Sequence, residues 1–319
     1  MLRIGAPDWI DPDLLPRFPG ELVKIPDEPT EKVAVDFWIP PLYPRAAARV
    51  FPHLQGVKVA QSLLAGVDWL LKIVPAEITV CDAQGVHNVA TAEWVVTAIL
   101  ASLKYFPFYA GLQAAGNWKR RREADAHYRS LFGIQKPFQP PVLGEELAGK
   151  TILIVGYGSI GRSIEDRLTP FGVKFLRVAR GRRDGVEPIS ELKNLLPLAD
   201  VVVLIVPLTA ETTGMIAAEE LALMKPGALL VNAARGPVVV AGDLLAALHS
   251  GRIRAAVDVT DPEPLPESDP LWKAPNLLLT PHVGGSSPLF LPRSLAFAAQ
   301  QAERFASGEP LLNVVTGEY

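Results

Sequence analysis

The sequence predicts an α/β protein made of two doubly wound parallel-sheet domains. Short apolar runs alternate with helical stretches along most of the chain, as repeated strand and helix units do. Near the middle, the stretch Thr151–Gly161, TILIVGYGSIG, runs an apolar strand into a glycine-rich turn and a helix start. The length of 319 residues also favours two domains, because single cores tend to stop growing at roughly 250–300 residues.

Composition and charge are those of a globular protein. Apolar residues make up 49% of the chain and charged residues 20%, a balance too apolar for disorder. The formal net charge of −3 provides no global attraction to nucleic acid or to an anionic membrane, so we expect neither partner. Cys81 is the only cysteine, which excludes an intramolecular disulfide and favours a reducing cytoplasm. Prolines and acids interrupt the N-terminal residues, and no apolar run is long enough for a membrane span, so we expect neither a signal peptide nor an anchor.

The first part of the chain is predicted to be a small parallel α/β unit. The loop Gln61–Asp68, QSLLAGVD, follows one of its strands, and ligands collect at such strand ends in open α/β sheets. A loop with nothing bound is the alternative interpretation. The predicted elements are strands at Leu2–Ala6, Val33–Ile39, Val57–Gln61 and Ile78–Cys81, with a helix at Tyr43–Phe51.

The middle of the chain is predicted to hold one long apolar helix, Thr91–Tyr109, followed by an irregular segment from Asn117 to Pro141. The basic run Lys119–Arg122 in that segment is consistent with a polyanion site, but a solvated helix end or loop is the simpler interpretation. Because the segment is long for a connection, we expect it to cover a site or to contact another subunit.

The stretch TILIVGYGSIG carries the G-x-G-x-x-G pattern of dinucleotide-binding proteins in its proper setting. Its first glycine allows the turn, the second lets the backbone approach a pyrophosphate, and the third lets the helix pack against the strand. Amides at the helix N-terminus then face the phosphates. An ordinary strand-to-helix turn is the alternative, which the βαβ-like sequence that follows disfavours. The predicted cofactor-binding residues of this loop are Gly156, Tyr157, Gly158, Ser159, Ile160 and Gly161.

Strand and helix units after this loop predict a doubly wound parallel sheet. The tail LLNVV after Gly308 is predicted to return to the first unit. The predicted strands are Lys174–Val178, Val201–Val206, Ala228–Asn232, Ala255–Val259 and Leu277–Thr280, and the predicted helices are Glu219–Met224, Ala241–His249 and Pro288–Ser307.

Three ionisable residues, Arg235, Glu263 and His282, each follow a predicted strand of this sheet. Because strand ends at one edge of a parallel sheet converge, these side chains are expected to meet beside the cofactor. An arginine can bind a carboxylate through two hydrogen bonds, a histidine can exchange a proton near neutral pH, and a glutamate can orient that histidine. Together they suit reduction of a 2-oxo acid, whereas each one alone is more simply a structural or surface residue. The other histidines lack such neighbours, and no pair has a spacing that predicts a metal site.

The chain resembles the D-isomer-specific 2-hydroxyacid dehydrogenases. The matching segments occur in the order of that family and span most of the chain: AGVD, NVATAEW, GKTILIVGYGSIG, VPLTAETTGMI, MKPGALLVNAARG, AAVDVTDPEPLP, NLLLTPHVGG and the NVV tail. The resemblance implies a flavodoxin-like substrate-binding (catalytic) domain at residues 1–97 and 288–319. It also implies a contiguous Rossmann NAD(P)-binding domain at residues 98–287, and a homodimer formed through the nucleotide domains.

The resemblance also implies a role for each matching residue. His282 would protonate the substrate oxygen during reduction, Glu263 would hydrogen-bond His282 and keep it protonated, and Arg235 would bind the substrate carboxylate and carbonyl oxygen. Asp258 would bind the nicotinamide carboxamide. The remaining implied contacts are the backbone amides of Ala65, Gly66 and Val67 on the carboxylate, and Pro207 and Thr209 along the cofactor site.

One departure from the family concerns the cofactor. NAD-preferring relatives have an acid at the end of the second strand of the nucleotide domain, where this chain has Ala179. Arg180, Arg182 and Arg183 follow, and arginines offer a 2′-phosphate charge-assisted hydrogen bonds. The sequence therefore predicts NADP(H), with NAD also possible, and a solvated turn is the alternative role for these arginines.

The resulting hypothesis is an oxidoreductase that reduces a small 2-oxo acid, such as glyoxylate or hydroxypyruvate, to a D-2-hydroxy acid with NADPH. One alternative is a dehydrogenase of the same family with another substrate, such as phosphite. Formate oxidation is disfavoured because formate dehydrogenases have glutamine where this chain has Glu263. The other alternative is a nucleotide-sensing regulator resembling the C-terminal-binding corepressors. This alternative is disfavoured, because the sequence contains no disordered regulatory tail that would support it.

Overall fold

The computed structural model describes residues 1–316. The strands are β1 Arg3–Pro7, β2 Glu21–Ile25, β3 Val33–Ala34, β4 Phe37–Trp38, β5 Leu54–Gln55, β6 Val59–Gln61, β7 Thr79–Cys81, β8 Thr151–Val155, β9 Lys174–Ala179, β10 Glu187–Pro188, β11 Val201–Leu204, β12 Leu229–Asn232, β13 Arg254–Val257 and β14 Leu277–Leu279. The helices are α1 Pro44–Val50, α2 Asn88–Leu103, α3 Phe106–Ala114, α4 Glu123–Phe132, α5 Ser159–Leu168, α6 Leu192–Leu195, α7 Ala218–Leu223, α8 Ala241–His249 and α9 Phe290–Ser307.

The chain divides into two compact units, each built on a parallel sheet. One unit comprises Met1–Asn88 with Ser286–Tyr319, and the other comprises Val89–Gly285. The boundary predicted at residues 97/98 falls inside α2. The two compact units divide nine residues earlier, and the buried side chains of α2, Ala92, Val95 and Ala98 among them, share a core with β8 and β11 of the second unit.

The second unit contains a seven-stranded sheet in the order β10-β9-β8-β11-β12-β13-β14. Every neighbouring pair is parallel, and the strand order reverses between β8 and β11, where open α/β sheets bind their ligands. Side chains of β8 alternate between the two faces: Ile152 and Ile154 pack with α2 and α5, whereas Leu153 and Val155 pack with α7 and α8. The two-residue period of a strand buried on both faces accounts for the unbroken apolar run of β8.

The first unit contains a five-stranded parallel sheet in the order β2-β1-β4-β6-β7, with a short parallel pair, β3 and β5, beside it. Adjacent residues of β4 point to opposite faces, Phe37 toward α9 and Trp38 toward α1. The C-terminal tail returns to this unit as predicted: Val314 forms an antiparallel bridge with Cys81, and the Val315 amide donates to the Val80 carbonyl.

Two sequence-based expectations for the middle of the chain were wrong. The helix predicted at Thr91–Tyr109 is two helices, because Tyr105 has a left-handed backbone (φ 55°) and Pro107, which has no N–H to donate, lies in the first turn of α3. The segment predicted as irregular contains α4. Its signals were Glu123 and Asp125 in the first turn and Gly133 as a left-handed C-cap.

In the first unit, the strand predicted at Val33–Ile39 is two short strands, and the edge strand β2 had not been predicted. The remaining predicted elements are present, with ends that differ by one to two residues.

Within residues 1–316, no single helix has the length and apolarity needed to cross a membrane. The pair α2 and α3, bent by 67° at their junction, meets the requirement by length and composition alone.

Candidate active site

The three predicted ionisable residues lie at one edge of the seven-stranded sheet. Arg235 follows β12, Glu263 follows β13 and His282 follows β14, and these strands are neighbours and parallel. The loops after β12 and β13 also touch, because a Cβ built on Gly236 would lie 1.8 Å from the carbonyl oxygen of Thr260. The fold therefore brings these three segments to the carboxyl edge of the sheet, as the sequence predicted.

Glu263 and His282 form a direct pair. His282 Nδ1 lies 2.5 Å from Glu263 Oε1. The side chains are 47% and 42% exposed, so the pair is open to a ligand on one side. A carboxylate beside Nδ1 keeps a hydrogen on that nitrogen, because the carboxylate accepts it. The other ring nitrogen, Nε2, is left to exchange a proton with a bound molecule.

Arg235 is held by the turn in which it lies. The buried amide side chain of Asn232 accepts from the Ala234 amide at 3.0 Å and donates to the Arg235 carbonyl at 3.1 Å. The guanidinium of the half-buried Arg235 donates to the Ala234 carbonyl at 2.8 Å. Asn232 therefore shapes the turn that presents Arg235, a role that sequence reasoning did not assign.

Asp258, at the end of β13, is 4% exposed and binds the loop after β14. Its carboxylate accepts three hydrogen bonds, from Thr280 Oγ1 at 2.6 Å, the Val283 amide at 2.9 Å and the Gly284 amide at 2.7 Å. Both carboxylate oxygens are thus already bound by donors of this unit. The resemblance predicted Asp258 as a ligand of the nicotinamide carboxamide, and that role stays a prediction. The internal hydrogen bonds of Asp258 were not part of it.

The glycine loop has the geometry that its sequence predicts. Gly156 has a φ of 103°, a left-handed backbone that a side chain would strain, and a Cβ there would lie 2.5 Å from the carbonyl oxygen of Ile205. The amides of Gly156 and Tyr157 both donate to the Val178 carbonyl, so the loop lies against the end of β9. Gly158 is the N-cap of α5, whose first residues are Ser159 and Ile160.

A bidentate ion pair fixes the side of this loop. Arg177 donates from Nε and Nη2 to the two carboxylate oxygens of Glu165 at 2.6 and 2.5 Å. These bonds hold the pKa of Glu165 below its usual range, because they lower it by more than burial of the carboxylate raises it. The guanidinium of Arg177 also lies 5.5 Å from the centre of the Tyr157 ring. This cation–π contact joins α5, β9 and the glycine loop.

The arginines after β9 differ in their partners. Arg182 Nη2 lies 2.7 Å from Glu187 Oε2, and Arg180 Nε lies 4.0 Å from Glu211. Both arginine side chains are more than 60% exposed. Arg183 donates to the Tyr157 carbonyl, which ties it to the glycine loop.

The remaining predicted contacts lie on two other loops. In the first unit, Ala65 and Gly66 are half-buried, and the side chain of Val67 is fully buried. In the second unit, Thr212 Oγ1 donates to the Pro207 carbonyl at 2.7 Å, and the buried Thr209 closes the same turn.

These residues fit a dinucleotide. A turn in which Gly156 has no room for a side chain lies at the point where the strand order reverses, and it leads directly into the N-terminus of the ten-residue α5. Exposed arginines follow the adjacent strand. Such an arrangement supplies backbone amides for a pyrophosphate and cations near the adenosine end of the cofactor.

Comparison with known proteins agrees with this architecture. The sequence pattern of the NAD-binding domain of D-isomer-specific 2-hydroxyacid dehydrogenases matches residues 96–284. A glyoxylate reductase from Thermococcus gammatolerans is 34% identical over 266 residues, which span 81% of this chain and 76% of the relative.

Solved structures resemble this chain over most of its length. An NADPH-dependent glyoxylate/hydroxypyruvate reductase from Sinorhizobium meliloti, in complex with NADP and sulfate, has a TM-score of 0.81 at 26% identity, covering 99% of this chain and 98% of that one. An NAD-dependent formate dehydrogenase from Staphylococcus aureus, in complex with NAD, has a TM-score of 0.70 at 25% identity, covering 89% and 84%.

The fold and the comparisons together define a nicotinamide-dependent oxidoreductase. The chain belongs to the D-isomer-specific 2-hydroxyacid dehydrogenase family, an NAD(P)-dependent family that acts on CH–OH donors.

Proposed function

We propose that this protein reduces a small 2-oxo acid to the D-2-hydroxy acid, with NADPH as its preferred reductant. The observation that carries the proposal is the Glu263–His282 pair on the same sheet edge as Arg235. The similarity to a glyoxylate reductase and to a glyoxylate/hydroxypyruvate reductase makes glyoxylate and hydroxypyruvate the first candidate substrates.

In the proposed mechanism, Arg235 binds the substrate carboxylate and polarises the adjacent carbonyl oxygen. The family resemblance makes the backbone amides of Ala65, Gly66 and Val67 further proposed ligands of the carboxylate. A nicotinamide dinucleotide held by the glycine loop Gly156–Gly161 would supply the hydride for C2.

As C2 gains the hydride, His282 donates the Nε2 proton to the carbonyl oxygen, which becomes the hydroxyl. Glu263 orients the ring for this transfer, because its carboxylate accepts the Nδ1 hydrogen at 2.5 Å. The imidazole ends neutral and regains its proton from water.

The proposed preference for NADPH comes from the residues after β9. Ala179 lacks the carboxylate that would repel a 2′-phosphate, and Arg180 and Arg182 have exposed guanidinium groups. Arg183 donates a hydrogen bond to the Tyr157 carbonyl and so connects the residues after β9 with the glycine loop. A higher kcat/KM with NADH than with NADPH would overturn this part of the proposal.

The test of function is a panel of 2-oxo acids, assayed with NADPH and NADH by the loss of reduced-cofactor absorbance. The reverse direction is assayed with D- and L-2-hydroxy acids, formate and phosphite. Arg235→Ala and His282→Asn should lose most of the turnover while the fold and NADPH binding persist. Wild-type-like turnover in either variant would reject the mechanism.

The proposed assembly is a homodimer in the cytoplasm. Phe106 and Trp118 of the second unit have side chains 62% and 77% exposed, and contact with a second copy would bury this apolar surface. Cys81 is a free, buried cysteine, and burial raises the pKa of its thiol to about 12. A chain with a single cysteine forms no internal disulfide, which agrees with the proposed reducing compartment. Light scattering of the purified protein tests the dimer.

A further inference from the structure

A chain of hydrogen bonds runs from α2 to the loop that carries His282. The indole Nε1 of Trp94 donates to Thr280 Oγ1 at 3.1 Å, and this hydroxyl donates to Asp258 Oδ1 at 2.6 Å. The direction of the chain is fixed, because an indole N–H is only a donor and an ionised carboxylate is only an acceptor. The Thr280 hydroxyl is therefore the link between α2 and Asp258.

Asp258 in turn fixes three consecutive amides. Its carbonyl oxygen accepts from the His282 amide at 2.7 Å, and its carboxylate accepts from the amides of Val283 and Gly284. His282 has a φ of 52°, in the left-handed region that residues with a side chain rarely adopt. Such a conformation persists only where the surroundings hold it.

Trp94 also forms part of the surface on which this loop rests. A Cβ built on Gly284 would lie 3.2 Å from Trp94 Cγ and 2.8 Å from Asp258 Oδ2. The loop backbone therefore lies directly against the indole ring and the carboxylate.

We infer that Thr280 and Trp94 are positioning residues for His282, acting through Asp258. The inference rests on the proposed function, because it takes His282 as the proton donor. Loss of the Thr280 hydroxyl removes one of the three donors to the Asp258 carboxylate and the acceptor of the Trp94 indole. The loop then moves relative to Glu263 and the substrate, and proton transfer slows because a misplacement of about 1 Å can cost on the order of 10²-fold in rate.

The test compares Thr280→Val, which keeps the shape and removes the hydroxyl, with Thr280→Ser, which keeps the hydroxyl. For NADPH-driven reduction of the best 2-oxo acid, we expect Thr280→Val to lower kcat by about 10- to 100-fold. The KM values should stay within about 3-fold, because no group that binds the carboxylate or the phosphates is changed. Thr280→Ser should retain most of the wild-type kcat.

A second readout uses the protein without cofactor or substrate. Hydrogen exchange of the amides of Val283 and Gly284 should be faster in Thr280→Val than in the wild type or in Thr280→Ser. Trp94→Phe, which deletes the indole donor, should show the same effect to a smaller degree. It also keeps the inference testable if Thr280→Val does not fold.

Equal kcat in Thr280→Val and the wild type would overturn the inference, and so would equal losses in the Val and Ser variants. Unchanged amide exchange in both Thr280→Val and Trp94→Phe would overturn it as well. His282→Asn separates this failure from that of the proposed function. If His282→Asn is inactive while Thr280→Val is fully active, only the positioning role fails, whereas a fully active His282→Asn rejects the proposed chemistry itself.

Discussion

Replacement of Glu263 by glutamine isolates the charge of the carboxylate beside His282. Glutamine has nearly the same shape and keeps an oxygen that can accept the Nδ1 hydrogen, so the orientation of the ring survives. What is lost is the negative charge on the acceptor 2.5 Å from Nδ1, and with it the charge-assisted strength of this hydrogen bond. We expect Glu263→Gln to lower kcat/KM for the 2-oxo acid and to leave the Kd of NADPH unchanged.

The size of the effect follows from the geometry. A hydrogen bond to a charged group contributes about 1.5–3 kcal/mol and a neutral one about 0.5–1.5 kcal/mol, so the substitution removes on the order of 1–2 kcal/mol. The side chains of Glu263 and His282 are 42% and 47% exposed, and solvent screening favours the lower part of this range. At 1.36 kcal/mol per tenfold change in rate, the whole range corresponds to a fall in kcat/KM of roughly 5- to 30-fold, and we expect a fall nearer the lower figure.

The assay is steady-state reduction of the 2-oxo acid at neutral pH with saturating NADPH, on wild type, Glu263→Gln and Glu263→Asp. The shorter aspartate keeps the charge and moves it away from the ring, so it separates charge from distance. Wild-type kcat/KM in Glu263→Gln would refute the reasoning. A loss that resides wholly in NADPH binding would refute it too.

Three further predictions concern the glycine loop and the ion pairs beside it. Glu165→Gln should lower the Tm at pH 7, because the lowered pKa of Glu165 means that its pair with Arg177 stabilises the fold above the unfolded-state pKa of about 4.3. That stabilisation is lost as the pH falls through the folded-state pKa, so the difference in Tm from wild type should shrink below about pH 4. Glu187→Gln should free Arg182 from its 2.7 Å pair and lower the KM for NADPH by about 2- to 5-fold, with little change for NADH; equal changes for both cofactors would contradict it. Gly156→Ala should weaken binding of both cofactors and lower the free energy of unfolding by more than about 1 kcal/mol, as measured by titration calorimetry and denaturant unfolding.

The apolar strands could be predicted from sequence because their burial leaves a local signature. Val201 to Leu204 and Leu229 to Asn232 are runs with almost no polar residue, and the sheet buries both of their faces. Elements whose stability depends on partners elsewhere in the chain had no such signature. The edge strand β2, which exposes its first residue, Glu21, is defined by its register with β1. The helix α4 had a local signature of another kind, its first-turn acids and its C-cap glycine, which apolar periodicity does not detect.

The candidate site was predictable to the same degree. Arg235, Glu263 and His282 could be selected because each follows an apolar strand, and parallel strand ends meet at one edge. Trp94 could not, because its contact with Thr280 joins residues 186 positions apart in the chain. The left-handed backbone of His282 likewise depends on bonds from Asp258 that only the fold creates.

The most direct test of the central claim is the NADPH-driven reduction of glyoxylate and hydroxypyruvate by wild type and His282→Asn. Asparagine is the appropriate replacement because it tolerates the left-handed backbone at this position, with φ 52°, and lacks an imidazole. We predict rapid turnover of at least one of these acids by the wild type. In the variant, kcat should fall by about 10²- to 10⁴-fold with an unchanged Kd for NADPH. No turnover of either acid by the wild type, or full turnover by the variant, would contradict the claim.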